Sequence, residues 1–176
     1  AESVTFTAVA MITTPTLTFS PANSDTDVAI GTNITITFDK AVRNIDNTIL
    51  TSDNVDSLIT LKDTNSSGTR IVFDATIDSD SKVVTINPSS DFSSEQTIYV
   101  AIGARVEDSF DNAISFTSAI FFAADTTAPT LIFNPDDSDT AVAVDANITI
   151  TFNEKIWNTD NTALTNSNVD KLITLK

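Results

Sequence analysis

Thr14-Pro15-Thr16-Leu17-Thr18-Phe19-Ser20-Pro21 returns 114 positions later as Ala128-Pro129-Thr130-Leu131-Ile132-Phe133-Asn134-Pro135, and Asn33-Ile34-Thr35-Ile36-Thr37-Phe38 returns as Asn147-Ile148-Thr149-Ile150-Thr151-Phe152. The correspondence runs without a gap to Leu58-Ile59-Thr60-Leu61-Lys62 and Leu172-Ile173-Thr174-Leu175-Lys176. Residues 14–62 and 128–176 share 30 identities in 49 positions. Self-similarity at a fixed period marks a tandem array. Within each copy the apolar residues alternate with Thr or Ser at period two, which puts Leu17 and Phe19, then Ile34, Ile36 and Phe38, on one face of half-buried strands.

Working outward, Pro21 to Asp27 is a loop rich in Pro, Asn, Ser and Asp. Val55, Leu58 and Ile59 stand at i, i+3 and i+4 behind Thr51 and Ser52, with Asp53 in the first turn, so one or two helical turns capped by Thr51 or Ser52 are predicted there. Further strands are predicted at 58–62, 70–77, 82–87, 96–102 and 113–124, separated by turn signals at Ser66-Ser67-Gly68, Asp78 to Ser81 and Asp111-Asn112. Seven short strands in about 110 residues describe a β-sandwich. The fold class is therefore all-β: a complete domain over 14–127 and the first part of a second over 128–176.

The second copy has no counterpart of residues 63–127. Leu131, Phe133, Ile148, Ile150, Phe152, Ile156, Leu164, Val169, Leu172, Ile173 and Leu175 would each contribute about 1.5–3 kcal/mol on burial. Leaving them uncovered forfeits roughly 15–30 kcal/mol, more than the net stability of a typical domain. Two sources of cover are open: further repeats in a longer array, or strands from a neighbouring molecule. Residues 1–13 bear on both. Val4 to Ala10 followed by Thr13-Thr14-Pro15 is similar to Ser115-Phe116-Thr117 to Ala123 followed by Thr126-Thr127-Ala128-Pro129, so this segment reads as the last strand of a preceding repeat or as a donated strand.

Composition narrows the function. The 176 residues include 24 acids, nine bases, no His and no Cys, a net charge of −15. Twenty acids are Asp, joined by 29 Thr, 18 Ser and 15 Asn, residues of strands and turns rather than helices. Without Cys there is no disulfide framework, no thiol nucleophile, no zinc cluster and no iron–sulfur site, and without His the usual general base and the commonest metal ligand are missing. The acidic surface repels phosphate, which argues against nucleic acid as a partner. The longest apolar stretches, Ala8 to Ile12 and Ala119 to Ala124, are far below the roughly 20 residues of a membrane span. Ala1-Glu2-Ser3 lacks the features of a secretion signal, so the numbering is expected to begin after one has been removed or inside a longer chain.

Pro21 to Val28, the Ile34 to Val42 strand, Tyr99-Val100-Ala101-Ile102 running into Val106-Glu107-Asp108, and the Asp125-Thr126-Thr127-Ala128-Pro129 junction together resemble the bacterial and archaeal Ig-like repeats of surface-layer proteins and giant adhesins. The resemblance spans the chain. It departs at Asp111-Asn112, where the family commonly has Gly-Asn, and at Tyr99, one place later than the usual strand aromatic. It implies a non-enzymatic extracellular structural protein, its sandwiches joined end to end in a surface layer, stalk or filament through homotypic contacts. The alternative it implies is an adhesin or carbohydrate-binding repeat of a larger secreted protein. With only Ala124 to Ala128 between the last strand and Pro129, such an array is expected to be stiff.

No catalytic, cofactor-binding or metal residue is assigned. Sandwich topology places Asp25, Asp27 and Asp125 at one end, where calcium could rigidify the junction between repeats, but no run has the Asp spacing of a dedicated calcium loop and the three are read as turn and solubility residues. Asn33, Asn65 and Asn147 head glycan acceptor triplets at no more than the chance frequency for this composition. Trp157 replaces Arg43 between the copies and is read as packing locally rather than against a sugar or a neighbouring chain. Asp108 with Asp111, and Asp136 with Asp137, are acid pairs read as solvated turn residues, not as a hydrolase dyad.

Overall fold

The structure, a computed structural model, describes residues 13–174. Residues 1–12, which carry the strand expected to belong to a preceding repeat, lie outside the described residues. The chain divides into two compact units between Thr126 and Thr127.

In the first unit, the Thr/Ile alternation builds β1 (Leu17–Ser20) and β2 (Ile34–Phe38), paired antiparallel with Phe19 opposite Ile36. β2 then pairs β6 (Val83–Pro88), and β6 pairs β5 (Phe73–Ile77), giving the sheet order β1-β2-β6-β5. The β5–β6 hairpin is closed by Asp78, whose Oδ1 accepts from the amides of Lys82 and Val83 at 2.7 and 3.0 Å, and Ser81 takes the left-handed backbone that the turn demands. The facing sheet runs β4 (Ile59–Asp63), β7 (Thr97–Ile102), β9 (Thr117–Phe122). A four-stranded and a three-stranded sheet in these orders reproduce the ABED and CFG layers of a constant-type immunoglobulin sandwich.

The inner faces interdigitate. Ile34, Ile36, Val84 and Ile86 from one sheet and Leu61, Ile98, Val100, Ile102 and Phe121 from the other are almost wholly excluded from water. Phe92 meets Phe121 edge to face, ring centroids 5.8 Å apart. β7, the middle strand of its sheet, is buried from Ile98 to Ile102, residues of both faces included.

All seven expected strands form, mostly shorter than anticipated: the stretch 113–124 yields only Thr117–Phe122, with Ala113 held in an isolated bridge to Glu107. Two further strands of two residues, β3 (Arg43–Asn44) and β8 (Val106–Glu107), pair with each other. The helical signal at 51–59 becomes a single 3-10 turn, Val55–Leu58, and neither Thr51 nor Ser52 caps it. Asn54 stands at its start, and its Oδ1 accepts the Thr51 amide at 2.9 Å. The loop closes on itself first, and what remains is too short for an α-helical turn.

The second unit repeats the local design. β10 (Leu131–Asn134) and β11 (Thr149–Phe152) pair with Leu131 opposite Phe152, as Leu17 stands opposite Phe38. The second 3-10 turn, Val169–Leu172, mirrors the first, and the Thr165 amide donates to Asn168 Oδ1 at 2.8 Å. Its surroundings differ. Ile148 is 58% exposed where Ile34 is 0%, and Leu172 is 63% exposed where Leu58 is 7%.

Candidate functional site

Four places in the fold collect the side chains singled out by sequence. The first is the buried end of β8. Arg43 and Lys40 follow β2 and lie across from Glu107 and Asp108, which are only 3% and 2% exposed. Arg43 Nε donates to Glu107 Oε1 at 3.2 Å and its Nη2 to Asp111 Oδ1 at 2.6 Å. Asp108 accepts from the amides of Phe110 and Asn112 at 2.9 and 3.1 Å, from the Asn112 side-chain amide, and from Lys40 Nζ at 3.4 Å.

The expectation of solvated turn acids is correct for the exposed Asp111 and wrong for Asp108. Asp108 folds inward because its turn supplies enough donors to replace water. Burial pushes its carboxyl up, but the Phe110 and Asn112 amides, the Asn112 side chain and Lys40 together hold it below the ordinary value of 3.8. A carboxylate saturated with donors has no free lone pair aimed at a substrate and stays ionised. Its chemistry is that of an anchor tying the 108–112 turn to β2. Pattern reading missed this because an acid in a turn looks the same whether it faces water or the protein, and the one distant donor, Lys40, is 68 residues away. The other pair is a turn: the Asp136 amide donates to Asp139 Oδ2 at 2.9 Å.

The second place is a shallow hollow at one end of the sandwich, lined by Thr26, Asp27, Glu95, Phe122, Ala123 and Asp125. Asp27 and Asp125 do meet there, joined by Glu95, which sequence reading did not name. Asp25 does not line it; its Oδ2 accepts the Ala22 amide at 2.7 Å. Asp125 Oδ1 accepts from Ser94 Oγ at 2.8 Å, and Ser94 Oγ in turn accepts from the Thr126 amide at 2.8 Å. Among the described residues, no three acidic side chains are placed to hold a metal ion. The three-acid calcium grouping of Asp25, Asp27 and Asp125 is thus not assembled.

Third come the isolated surface candidates. Asn33, Asn65 and Asn147 are all exposed. Trp157 is half-exposed, with Lys155 Nζ over its ring at 4.3 Å. Glu154 and Trp157 occupy the positions of Lys40 and Arg43, so the second copy does not repeat the cations of the buried network.

The fourth place is the largest. Leu131, Phe133, Ile150, Phe152, Val169 and Leu172 are among the residues lining an open apolar cleft of about 760 Å³ in the second unit. In the first unit the equivalent positions form one half of the sandwich core.

Among the described residues, no helix is long and apolar enough to cross a membrane. No curated protein matches the chain. Among solved structures, CopC from Methylosinus trichosporium OB3b aligns at 12% identity and a TM-score of 0.42, covering 62% of this chain and 92% of that one. The surface layer protein SbsC, domains 1–6, aligns at 13% identity and a TM-score of 0.43, covering 69% of this chain and 15% of that one. The bacterial Ig-like domain family matches residues 12–123, the whole first sandwich and well over half of the sequence. The chain belongs to the bacterial Ig-like domain family.

Proposed function

We propose that this chain is a non-enzymatic structural module of the microbial exterior, one stretch of an array of Ig-like sandwiches that builds a surface layer, stalk or filament through contacts between like domains. The observation that carries this reading is the repetition of one half-sandwich behind another, with its apolar face exposed. Such a face is stable only when further polypeptide lies on it, and in an array the neighbouring strands supply that cover. The buried end of β8 supports the same reading, since its carboxylates are used up in internal bonds rather than presented to a substrate. The charge of −15 keeps such arrays dispersed until specific contacts form.

Negative-stain microscopy of the native material tests it. Regular filaments or lattices are expected. Dispersed single particles would instead favour the adhesin or carbohydrate-binding repeat.

A further inference from the structure

The ladder between β1 and β2 ends at Thr16, whose amide donates to Asp39 Oδ1 at 2.9 Å and whose carbonyl accepts from Asp39 N at 3.1 Å. Pro15, the residue before it, is buried and has no N–H, so it offers the ladder no further donor. A side chain takes over there. Lys40 Nζ donates to Thr13 O at 2.6 Å, to Thr13 Oγ1 at 3.3 Å and to Asp108 Oδ2 at 3.4 Å. The shortest of these bonds goes to the exposed segment that leads into β1, not to the buried acid. Asp108 is satisfied without the ammonium, since two amides and the Asn112 side chain already bond its oxygens. The carboxylate thus serves Lys40 more than Lys40 serves it: fixed by its own turn, it helps to hold a partly exposed ammonium on one backbone carbonyl. The segment that leaves β9 is tied by a side chain as well. Thr126 N donates to Ser94 Oγ, and Ser94 Oγ donates to Asp125 Oδ1, both at 2.8 Å.

We propose that Lys40 and Ser94 are clamps on the two segments by which the chain enters and leaves the first sandwich. Lys40 fixes Thr13 ahead of β1, and Ser94 fixes Thr126 after β9, so each segment moves with the domain. Thr13, Thr14 and Thr126 are exposed, and without these bonds they would move as ordinary loop. Both clamps share one design. The side chain that engages the backbone is itself held by a carboxylate, Asp108 for Lys40 and Asp125 for Ser94, which restricts its rotamers before the backbone bond forms. Lys40 and Ser94 are therefore positioning residues, and the buried network at β8 has an outward task besides closing its own turn. The inference goes beyond the array reading and does not need it, because every group involved lies in the first unit.

Backbone NMR relaxation and amide hydrogen exchange on the full 176-residue chain at neutral pH test this. In the wild type the Thr14 amide should behave as rigid backbone, with an order parameter of about 0.85. Lys40→Met keeps the apolar stem and removes the donors, so Thr14 should fall below about 0.6 while Ile34 to Phe38 keep their protection. Asp108→Asn, with Lys40 intact, should lower Thr14 by a smaller step, because the ammonium loses its charged partner. Ser94→Ala should speed exchange of the Thr126 amide about 5- to 10-fold, as expected for the loss of one hydrogen bond, and leave Thr14 unchanged. A Thr14 already mobile in the wild type, or one that stays rigid in Lys40→Met, would overturn the entry clamp. So would a Lys40→Met chain that loses protection throughout β2, since Lys40 would then serve general stability. A Thr14 as rigid in Asp108→Asn as in the wild type would overturn the part given to the carboxylate, and unchanged exchange at Thr126 in Ser94→Ala would overturn the exit clamp. Regular lattices in the native material together with a mobile Thr14 would leave the array reading standing and remove this inference alone.

Discussion

Asn33 to Phe38 and Asn147 to Phe152 spell the same hexapeptide, pair in the same register with equivalent strands, β1 and β10, and stand in opposite environments. Phe38 is 2% exposed and Phe152 is 36% exposed. Much of what local chemistry controls is duplicated, although Ser24 is left-handed and Ser138 is not. Asp46 Oδ1 accepts from the Thr48 amide and hydroxyl at 3.0 and 2.6 Å, and Asp160 Oδ1 accepts from those of Thr162 at the same distances. The Asn47 and Asn161 turns both use a left-handed residue. What separates the copies is the rest of the sandwich: β6 and β5, which continue the first sheet beside β2, and the facing sheet. Short-range bonds therefore set the shape of each half-sandwich, while its burial depends on strands far away in sequence.

The largest expected effect breaks this symmetry by truncating one residue in each copy. Ile34→Ala should cost about 2–5 kcal/mol, because it opens a cavity in a closed core. Ile148→Ala, at the equivalent but exposed position, should cost under about 1 kcal/mol. Urea unfolding can read the two units separately, since the only Tyr, Tyr99, lies in the first and the only Trp, Trp157, in the second. Equal losses would mean that the second face is covered in solution.

Next comes Gly68, in the β4–β5 turn that only the first unit possesses. A Cβ there would sit 1.7 Å from the carbonyl oxygen of Asp63. Gly68→Ala should cost about 1–3 kcal/mol by forcing backbone to move, seen in the Tyr99 transition and absent from that of Trp157.

Asp108 gives a pH-dependent contrast. Its folded carboxyl lies below 3.8, so the stability it contributes is complete above that value and is lost as pH falls through the folded value. Asp108→Asn should lower the melting temperature of the first unit at neutral pH, because an amide NH2 then faces Lys40 and Asn112. It should also flatten the further decline in acid. A variant whose melting temperature falls as steeply in acid as that of the wild type would assign the acid loss to other carboxyls.

The smallest effect sharpens the comparison instead of breaking it. The Thr48 and Thr162 hydroxyls, with their amides, hold Asp46 and Asp160 below 3.8 in the same way. NMR titration should find both carboxyls lowered. A lowered Asp46 beside an ordinary Asp160 would show that the second copy does not keep its turns.

How legible this was in the sequence follows the same division. Alternation located β1 and β2 and their copies because Ile34, Ile36 and Phe38 face one side of a pleat whatever they pack against, while turn signals bounded the rest, including β7, which is apolar on both faces. The Asp and Asn turns were visible for the same reason: each donor and acceptor lies within a few residues. Three things were hidden. β3 and β8 are two residues each, too short for any period. The cap of the 3-10 turn went to Asn54 because its side chain bonds backward to Thr51 rather than forward into a helix. Asp108 looked like a surface acid because Lys40, one of its partners, is 68 residues away. Among the candidate sites, the placement of Asp27 and Asp125 at the same hollow was foreseeable from strand order, whereas Glu95 reaches it through a loop with no motif of its own.

Backbone hydrogen exchange on the full chain at low micromolar concentration tests the central claim most directly, by comparing the amides of β2 with those of β11. Strong protection from Ile34 to Phe38 and fast exchange from Thr149 to Phe152 are expected of a closed sandwich joined to an open one. Equal protection of the two strands in a chain shown to be monomeric would contradict it.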